Sequence, residues 1–421
     1  MLHRLEFEGE REGWQSQLRG INFDDRRPAD VGADAGMRLA DRVGRKRLVG
    51  HRGSLHIAAV VLDAAAFGVA WSAGHAIVIH QAINMITSSP TTRLLSATAL
   101  RVWGKRIEAA VPPGALRFLT AEDAVACGGP CDATIAFMTR EVTGNSSRGN
   151  PTSELRLFEG LLRSAPDLKW LQIHPAGAER PIYRELRERG VKVTTASGAT
   201  SVTVAHSTLG ALIALNRRFP LLADAQRRHA WEPRLGERSP RDLAGQCAVM
   251  VGLGPIGKKL AVLLKVLGMS VIGVRRAAEP VEVCDQTITY DRLHDVLPKA
   301  DCLILCCPAS PLTDKLADAR VFAAMPAGAV VINVARGQIC VEADLIAALQ
   351  SGHLAGAFLD VFEREPLDPL SPLWEISNVM ISPHTTSHSL GQNEAIFDIF
   401  LENLRRWRAV EPLRNDLDNL T

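Results

Sequence analysis

The sequence predicts an α/β protein built from two doubly wound parallel-sheet domains, preceded by an N-terminal extension with no assignable fold. Two patterns predict it. From about residue 91 onward, short apolar runs alternate with helix-length amphipathic stretches, the rhythm of strands covered by helices on both faces. In the middle of the chain, residues 249–257 read Val-Met-Val-Gly-Leu-Gly-Pro-Ile-Gly, a strand that turns sharply into a helix and opens a second βα series. The first ninety residues share neither pattern.

The glycine turn is the most informative stretch. Gly252 permits the tight turn off the strand, Gly254 lets a pyrophosphate reach backbone amides without meeting a Cβ, and Gly257 lets the helix pack close to the sheet. The helix that follows points its positive end at the phosphates. An apolar strand at 247–251, a helical pattern at 258–267 and a further strand at 270–274 give the motif the context it needs, so dinucleotide binding is the expectation.

At 421 residues the chain is long enough for two or three domains with their own cores. A formal charge of +2 and a pI near 8.2 are close to balance. They exclude a global field for nucleic acid or an acidic membrane surface. The eight cysteines lie scattered through apolar segments, which fits small buried thiols in a reducing compartment better than a disulfide framework. Cys127 and Cys131 flank Gly-Gly-Pro, but no second Cys or His pair completes a zinc set at usable spacing, so no metal is expected. Residues 1–27 are dense in Arg and Glu where a secretory signal would be apolar, and a cytoplasmic enzyme is the default.

Taken in order, residues 1–53 mix Arg, Asp and Gly without a sustained period and read as a poorly ordered extension. Residues 55–86 turn apolar, interrupted by His56, Asp63, His75 and His80. Their uncharged part is long enough to span a bilayer, but His75, His80, Gln81 and Asn84 make insertion costly. A packed appendage or a non-native upstream extension is expected instead. Strands follow at 93–98, 116–119, 133–138, 168–173 and 191–195. One helix at 152–164 carries Leu155, Leu157, Phe158, Leu161 and Leu162 on a broad face, and another at 180–189 has Pro181 in its first turn and Gly190 after its end. A long helix at 201–226 bridges to the second domain through a polar linker at 232–242. There, strands are expected at 302–306, 329–333, 355–359 and 379–382, with helices at 342–350 and 393–407.

Three polar residues fall at strand ends of the second domain, where open α/β sheets collect ligands: Arg336, Glu365 and His384. A guanidinium can grip the carboxylate and the carbonyl oxygen of a 2-keto acid together. Reducing that carbonyl needs a proton donor that titrates near neutrality, which is imidazole. A carboxylate, from Glu365 or Glu363, would orient the ring and raise its pKa. Cofactor choice is also written here. The strand after the glycine turn ends Gly273-Val274-Arg275-Arg276, with no acid before Glu279. An acid at that point accepts the ribose hydroxyl of NAD, whereas two guanidinium groups suit the extra phosphate of NADPH, which is therefore the preferred cofactor, with NAD possible.

From about residue 91 to 408 the chain resembles the D-isomer-specific 2-hydroxyacid dehydrogenases, the group that includes glyoxylate and hydroxypyruvate reductases. The resemblance is carried by Leu243-Ala-Gly, Gly-Leu-Gly-Pro-Ile-Gly, Asn333-Val-Ala-Arg-Gly-Gln, Gly356-Ala-Phe-Leu-Asp-Val-Phe-Glu-Arg-Glu-Pro-Leu, and Ser371-Pro-Leu-Trp through Asn378-Val to Ser-Pro-His. It implies a flavodoxin-like substrate domain at 91–200 plus 390–421, a Rossmann nucleotide-binding domain at 201–389, and an extension at 1–90 outside the family. It also implies NAD(P)-dependent reduction of a small 2-keto acid, with Arg336 binding substrate, His384 as acid/base and Glu365, rather than Glu363, as its partner. Ala176 and Gly177 would hold the substrate carboxylate. The cofactor would meet Gly252, Gly254, Pro255, Ile256, Gly257, Arg275, Arg276, Cys307, Pro308, Thr313, Val334, Ala335, Arg336, Asp360 and His384, with Asp360 on the nicotinamide carboxamide. A homodimer and the return of the last helix to the first domain are implied as well. Two departures stand out: His206-Ser207 replaces the usual Glu-His of the bridging helix, and Thr386-Ser387 replaces the small pair after the catalytic histidine. They bear on cofactor-mouth packing and substrate preference. The alternative function is a nicotinamide-dependent, corepressor-like binding protein on the same fold.

Overall fold

The computed structural model describes residues 91–111, 116–144, 151–233 and 239–419. The expected extension at 1–90, with its apolar stretch, lies outside these residues, as does the 234–238 part of the expected linker. Among the described residues no helix is long and apolar enough to cross a membrane.

Five strands, β1 (Thr91–Leu95), β2 (Leu116–Thr120), β3 (Ile135–Met138), β4 (Trp170–Ile173) and β5 (Lys192–Thr194), form a sheet in the order β2-β1-β3-β4-β5. All its pairings are parallel, so each connection must cross over a face. The crossovers carry helices α1 (Ala97–Ala109), α2 (Ala121–Ala126), α3 (Arg140–Thr143), α4 (Ser153–Ser164) and α5 (Pro181–Glu188). The strand expected at 93–98 stops short, because Ser96 Oγ accepts the amide of Ala99 at 3.0 Å and starts α1. Helix α4 buries Leu155, Phe158, Leu161 and Leu162, but Leu157 is exposed. Two residues on from Leu155 is about 200° around a helix, so Leu157 belongs to the opposite face. Cys127, at the end of the short α2, is likewise exposed rather than buried.

The second sheet has seven parallel strands, β6 (Cys247–Val251), β7 (Ser270–Arg275), β8 (Gln286–Thr289), β9 (Cys302–Leu305), β10 (Val330–Asn333), β11 (Gly356–Leu359) and β12 (Val379–Ile381). Their order is β12-β11-β10-β9-β6-β7-β8. Ahead of it lie α6 (Ser201–Asn216) and α7 (Phe219–Arg227). Helices α8 (Pro255–Val266), α9 (Leu293–Val296), α10 (Ala319–Ala324) and α11 (Glu342–Gln350) fall between the strands, and α12 (Gln392–Arg408) follows them. The strand order reverses at β6, which opens a crevice beyond its carboxyl end. Successive residues of β6 serve opposite faces: Val249 and Val251 pack with Leu303 and Leu305, while Ala248 and Met250 pack with Leu260 and Leu264 of α8. With both faces buried, β6 reads as an unbroken apolar run.

The helix expected over 201–226 is two helices. Arg218 takes a left-handed conformation at φ 60°, and Pro220 sits in the first turn of α7. Proline cannot supply the amide that would continue α6, so the chain breaks and restarts. Helix α12 lies on the first sheet through aromatic stacking. Phe397 stacks on Trp103 of α1 at 4.9 Å, Phe400 on Phe137 of β3 at 4.4 Å, and Trp407 on Trp170 of β4 at 5.7 Å.

Candidate active site

The carboxyl ends of β4, β6, β10, β11 and β12 deliver the candidate site residues. Asp360 follows β11 and is 2 % exposed. Its Oδ1 accepts from Ser382 Oγ at 2.7 Å and from the amides of Thr385 and Thr386 at 2.8 and 3.1 Å, and its Oδ2 accepts from Thr386 Oγ1 at 2.5 Å. This carboxylate therefore knits together the turn after β12. Within that turn His384 adopts a left-handed φ of 56°, its amide donating to Asp360 O at 2.9 Å. A histidine in that conformation costs energy, and the Asp360 bonds offset it.

His384 Nδ1 donates to Glu365 Oε2 at 2.9 Å, and the Phe362 amide donates to Glu365 Oε1 at 3.2 Å. Glu363 is occupied elsewhere, accepting the Glu342 amide at 3.0 Å at the start of α11. The hydrogen bond to Glu365 raises the His384 pKa above the ordinary imidazole value; burial opposes this, and the charges of Glu365 and Asp360 add to it. Burial pushes Glu365 upward, but its bond to His384, the charge of His384, the Phe362 amide and the charge of Arg336 together hold it below the usual carboxylate value. The pair favours an ionised Glu365 beside a protonated His384.

Arg336 belongs to the same cluster, since its charge acts on both partners of that pair. The loop that carries it is set by Asn333, whose Oδ1 accepts the Ala335 amide at 3.1 Å and whose Nδ2 donates to Arg336 O at 3.2 Å. Gly337 lies so close to the Phe362 carbonyl that a Cβ there would overlap it. Only glycine lets the Arg336 loop approach the Glu365 loop this closely. Arg336 Nη1 donates to Ala335 O at 2.7 Å, and its Nε donates to Glu179 Oε1 at 2.9 Å. Glu179 comes from the other domain, two residues beyond Gly177, and a Cβ on Gly177 would collide with Arg336 Nη2. The structure thus brings Arg336, Gly177 and Glu179 together across the cleft. Among the described residues the amides of Ala176 and Gly177 have no hydrogen-bond partner, and they are available to an anion.

The crevice at β6 fits a dinucleotide. Gly252 has φ 110°, and a Cβ there would sit 2.6 Å from the Cys307 amide. Gly254 caps α8 with open space beside it, and no side chain caps the helix. A Cβ on Gly257 would overlap the Gly252 carbonyl. With Pro255 first in the helix and Lys258 the first residue to bond back to Gly254, the amides of Ile256 and Gly257 point outward unpaired, as an anion requires. Cys307 is buried under the turn. The Thr313 hydroxyl clamps the adjoining loop, donating to Pro308 O and accepting the Ser310 amide, both at 2.8 Å. Val334 and Ala335 are buried behind Arg336. Arg275 closes β7 half-buried and Arg276 is exposed. No ion pair among the described residues engages either one. Both act on Tyr290, whose hydroxyl burial pushes up to about 12.

Glu179 was not found from sequence. Its partner is 157 residues away, and no local pattern marks a residue whose role is fixed only by the folding of a second domain. The two departures at 207 and 386 meet, with Ser207 Oγ donating to Thr386 O at 3.2 Å.

A parallel sheet whose glycine turn fits a pyrophosphate, facing a second α/β domain across an Arg, Glu and His cluster, defines a dinucleotide-dependent dehydrogenase. The family described as D-isomer specific 2-hydroxyacid dehydrogenase, NAD binding domain, matches residues 209–386. A glyoxylate/hydroxypyruvate reductase of Arabidopsis thaliana is 30% identical over 265 residues, which cover 62% of this chain and 80% of that protein. An uncharacterized protein in the proB 3′ region of Corynebacterium melassecola is 30% identical over 267 residues, covering 62% and 87%. Among solved structures, the D-isomer specific 2-hydroxyacid dehydrogenase of Xanthobacter autotrophicus Py2, in complex with NADPH and MES, superposes with a TM-score of 0.62 at 30% identity, covering 78% of this chain and 98% of its own. The chain belongs to the D-isomer specific 2-hydroxyacid dehydrogenase family, and it is an NAD(P)-dependent oxidoreductase.

Proposed function

We propose that the protein reduces a short 2-keto acid of the glyoxylate or hydroxypyruvate type to the D-2-hydroxy acid, with His384 as proton donor. The observation that carries this reading is the 2.9 Å bond from His384 Nδ1 to Glu365, in the field of Arg336. It leaves Nε2 as the ring nitrogen free to face substrate. The amides of Ala176 and Gly177 hold the substrate carboxylate. Arg336 bridges carboxylate and carbonyl oxygen, drawing electrons from C2. When bound, a reduced nicotinamide supplies the hydride that adds to C2. The carbonyl oxygen takes its proton from His384 Nε2, and the ionised Glu365 stabilises the imidazolium until that transfer.

The cofactor is NADPH in preference to NADH. Gly252, Gly254, Pro255, Ile256 and Gly257 cradle its pyrophosphate, Arg275 and Arg276 take the ribose phosphate, and Cys307, Pro308, Thr313, Val334, Ala335 and Asp360 line the remainder. We assign the substrate domain to 91–200 plus 390–421 and the nucleotide domain to 201–389, in a cytoplasmic homodimer. The test is steady-state reduction of glyoxylate, hydroxypyruvate, pyruvate and phenylpyruvate with both cofactors, on wild type and His384→Ala. The variant is expected to lose roughly two to four powers of ten in turnover while still binding cofactor. Near-normal turnover would remove His384 from the mechanism.

A further inference from the structure

Arg140 opens α3 at the carboxyl edge of the first sheet, directly after β3 and beside the end of β4. Its guanidinium donates from Nη1 to Gln392 Oε1 at 2.6 Å and contacts His388 Nε2 through Nη2 at 2.7 Å. Both partners are neutral. Burial and the charge of Arg140 lower the pKa of His388, so its Nε2 meets the guanidinium as an acceptor. The acids of the neighbourhood are committed elsewhere: Glu365 to His384, Asp360 to the 382–386 turn, Glu179 to Arg336, and Glu141 to the hydroxyls of Ser96 and Thr139. Among the described residues no carboxylate ion-pairs with Arg140.

Two contacts place this cation at the substrate cleft. His388 folds back on the catalytic turn, its amide donating to Thr385 O at 2.9 Å. On the other side, Thr143 of α3 bonds His174 Nε2 at 2.8 Å, and His174 lies two residues before Ala176. Burial, with the charges of Arg140 and Arg180, pushes His174 down to about 3. Arg140 thus stands between the expected carboxylate loop and the His384 turn, flanked by two neutral imidazoles, with three N–H donors unused. An uncompensated guanidinium among neutral groups is stabilised by an arriving anion. A keto acid with a single carboxylate has already spent it on Arg336 and the amides of Ala176 and Gly177.

We propose that Arg140, with His388 beside it, is a second anion subsite that selects 2-keto acids bearing a distal carboxylate or phosphate. This rests on the 2-keto acid reduction proposed above, but takes the preferred substrate to be a keto acid with a distal anion rather than glyoxylate or hydroxypyruvate themselves. The full-length protein is assayed with glyoxylate and hydroxypyruvate as singly anionic probes, oxaloacetate and 2-oxoglutarate as distal carboxylates, and 3-phosphohydroxypyruvate as a distal phosphate. Wild type should favour at least one distal anion in kcat/KM, and the better arm tells carboxylate from phosphate. Arg140→Gln, which can still bond Gln392, should lower the ratio of kcat/KM for that probe over hydroxypyruvate by about 10- to 100-fold, and Arg140→Lys should recover part of it. Equal losses on both classes would make Arg140 only a positioning residue for the 382–392 segment and overturn the proposal. So would a wild type that reduces glyoxylate or hydroxypyruvate better than every distal anion. If no keto acid is reduced, the dehydrogenase reading fails separately. Calorimetry with D-malate against glycolate then decides the subsite, with equal affinities refuting it.

Discussion

Asp360 gives the sharpest test of how this fold holds His384, the proposed proton donor. Four donors from the 382–386 turn converge on its carboxylate, and its charge helps raise the His384 pKa. Asp360→Ala removes all four bonds and strips two backbone amides of their partner. At about 1–3 kcal/mol for each amide left unsatisfied, the loss is on the order of 2–6 kcal/mol, and the left-handed His384 loses its support. The unfolding midpoint should fall by several degrees and kcat by about 100-fold or more. Asp360→Asn separates geometry from charge. Its remaining oxygen keeps the Ser382, Thr385 and Thr386 amide-side bonds, and its new NH2 can donate to the Thr386 hydroxyl, so the midpoint should stay near wild type. The charge is gone, however, and the His384 pKa falls. With protonated His384 as the proposed donor, activity is expected at low pH and is lost as pH rises through that pKa. In Asp360→Asn the decline of kcat/KM must therefore begin at lower pH than in wild type. Thermal melts and pH profiles on both variants supply the measurements. A profile unmoved in Asp360→Asn, or an Asp360→Ala protein with wild-type midpoint and turnover, would refute this account of the turn.

Gly177→Ala should raise the apparent KM for the keto acid by about 10- to 100-fold with little loss of stability, measured by kinetics beside a thermal melt. The new Cβ meets the flexible ends of Arg336 and Glu179 rather than backbone, so the fold yields while the substrate grip is displaced. Arg275→Asp should cut the ratio of kcat/KM for NADPH over NADH on the order of 100-fold, since it replaces a charge-assisted phosphate contact with a repulsive carboxylate. A wild type that prefers NADH would show that the two arginines do not read the phosphate.

Apart from β8, the strands of both sheets were legible as short apolar runs, and β6, buried on both faces, falls at 247–251 as expected. So were the glycine turn and the polar residues at strand ends, because parallel sheets place them by rule rather than by long-range packing. The misses share a different cause. Helix α1 hides behind β1 because one serine side chain, Ser96, decides where strand gives way to helix. The break between α6 and α7 needs Arg218 in a left-handed conformation, which no hydrophobic period records. β8 is only partly buried and lacks an apolar run. Glu179 and Arg140 acquire their meaning from partners far along the chain, 157 residues for Arg336 and 248 for His388.

The two departures from the family pattern bear on this same machinery. Read along the chain, Ser207 and Thr386 are unrelated substitutions, one on the bridging helix and one after the catalytic histidine. In the fold they form one relay: Ser207 Oγ donates to Thr386 O, Thr386 Oγ1 donates to Asp360, and Asp360 O accepts the His384 amide. A hydroxyl at 386 is what lets the side chain of that residue reach Asp360, and a short hydroxyl at 207 is what lets α6 reach its carbonyl. Each makes sense of the other. The departures therefore tie the helix that joins the domains to the turn that carries His384, the proposed proton donor, through three hydrogen bonds.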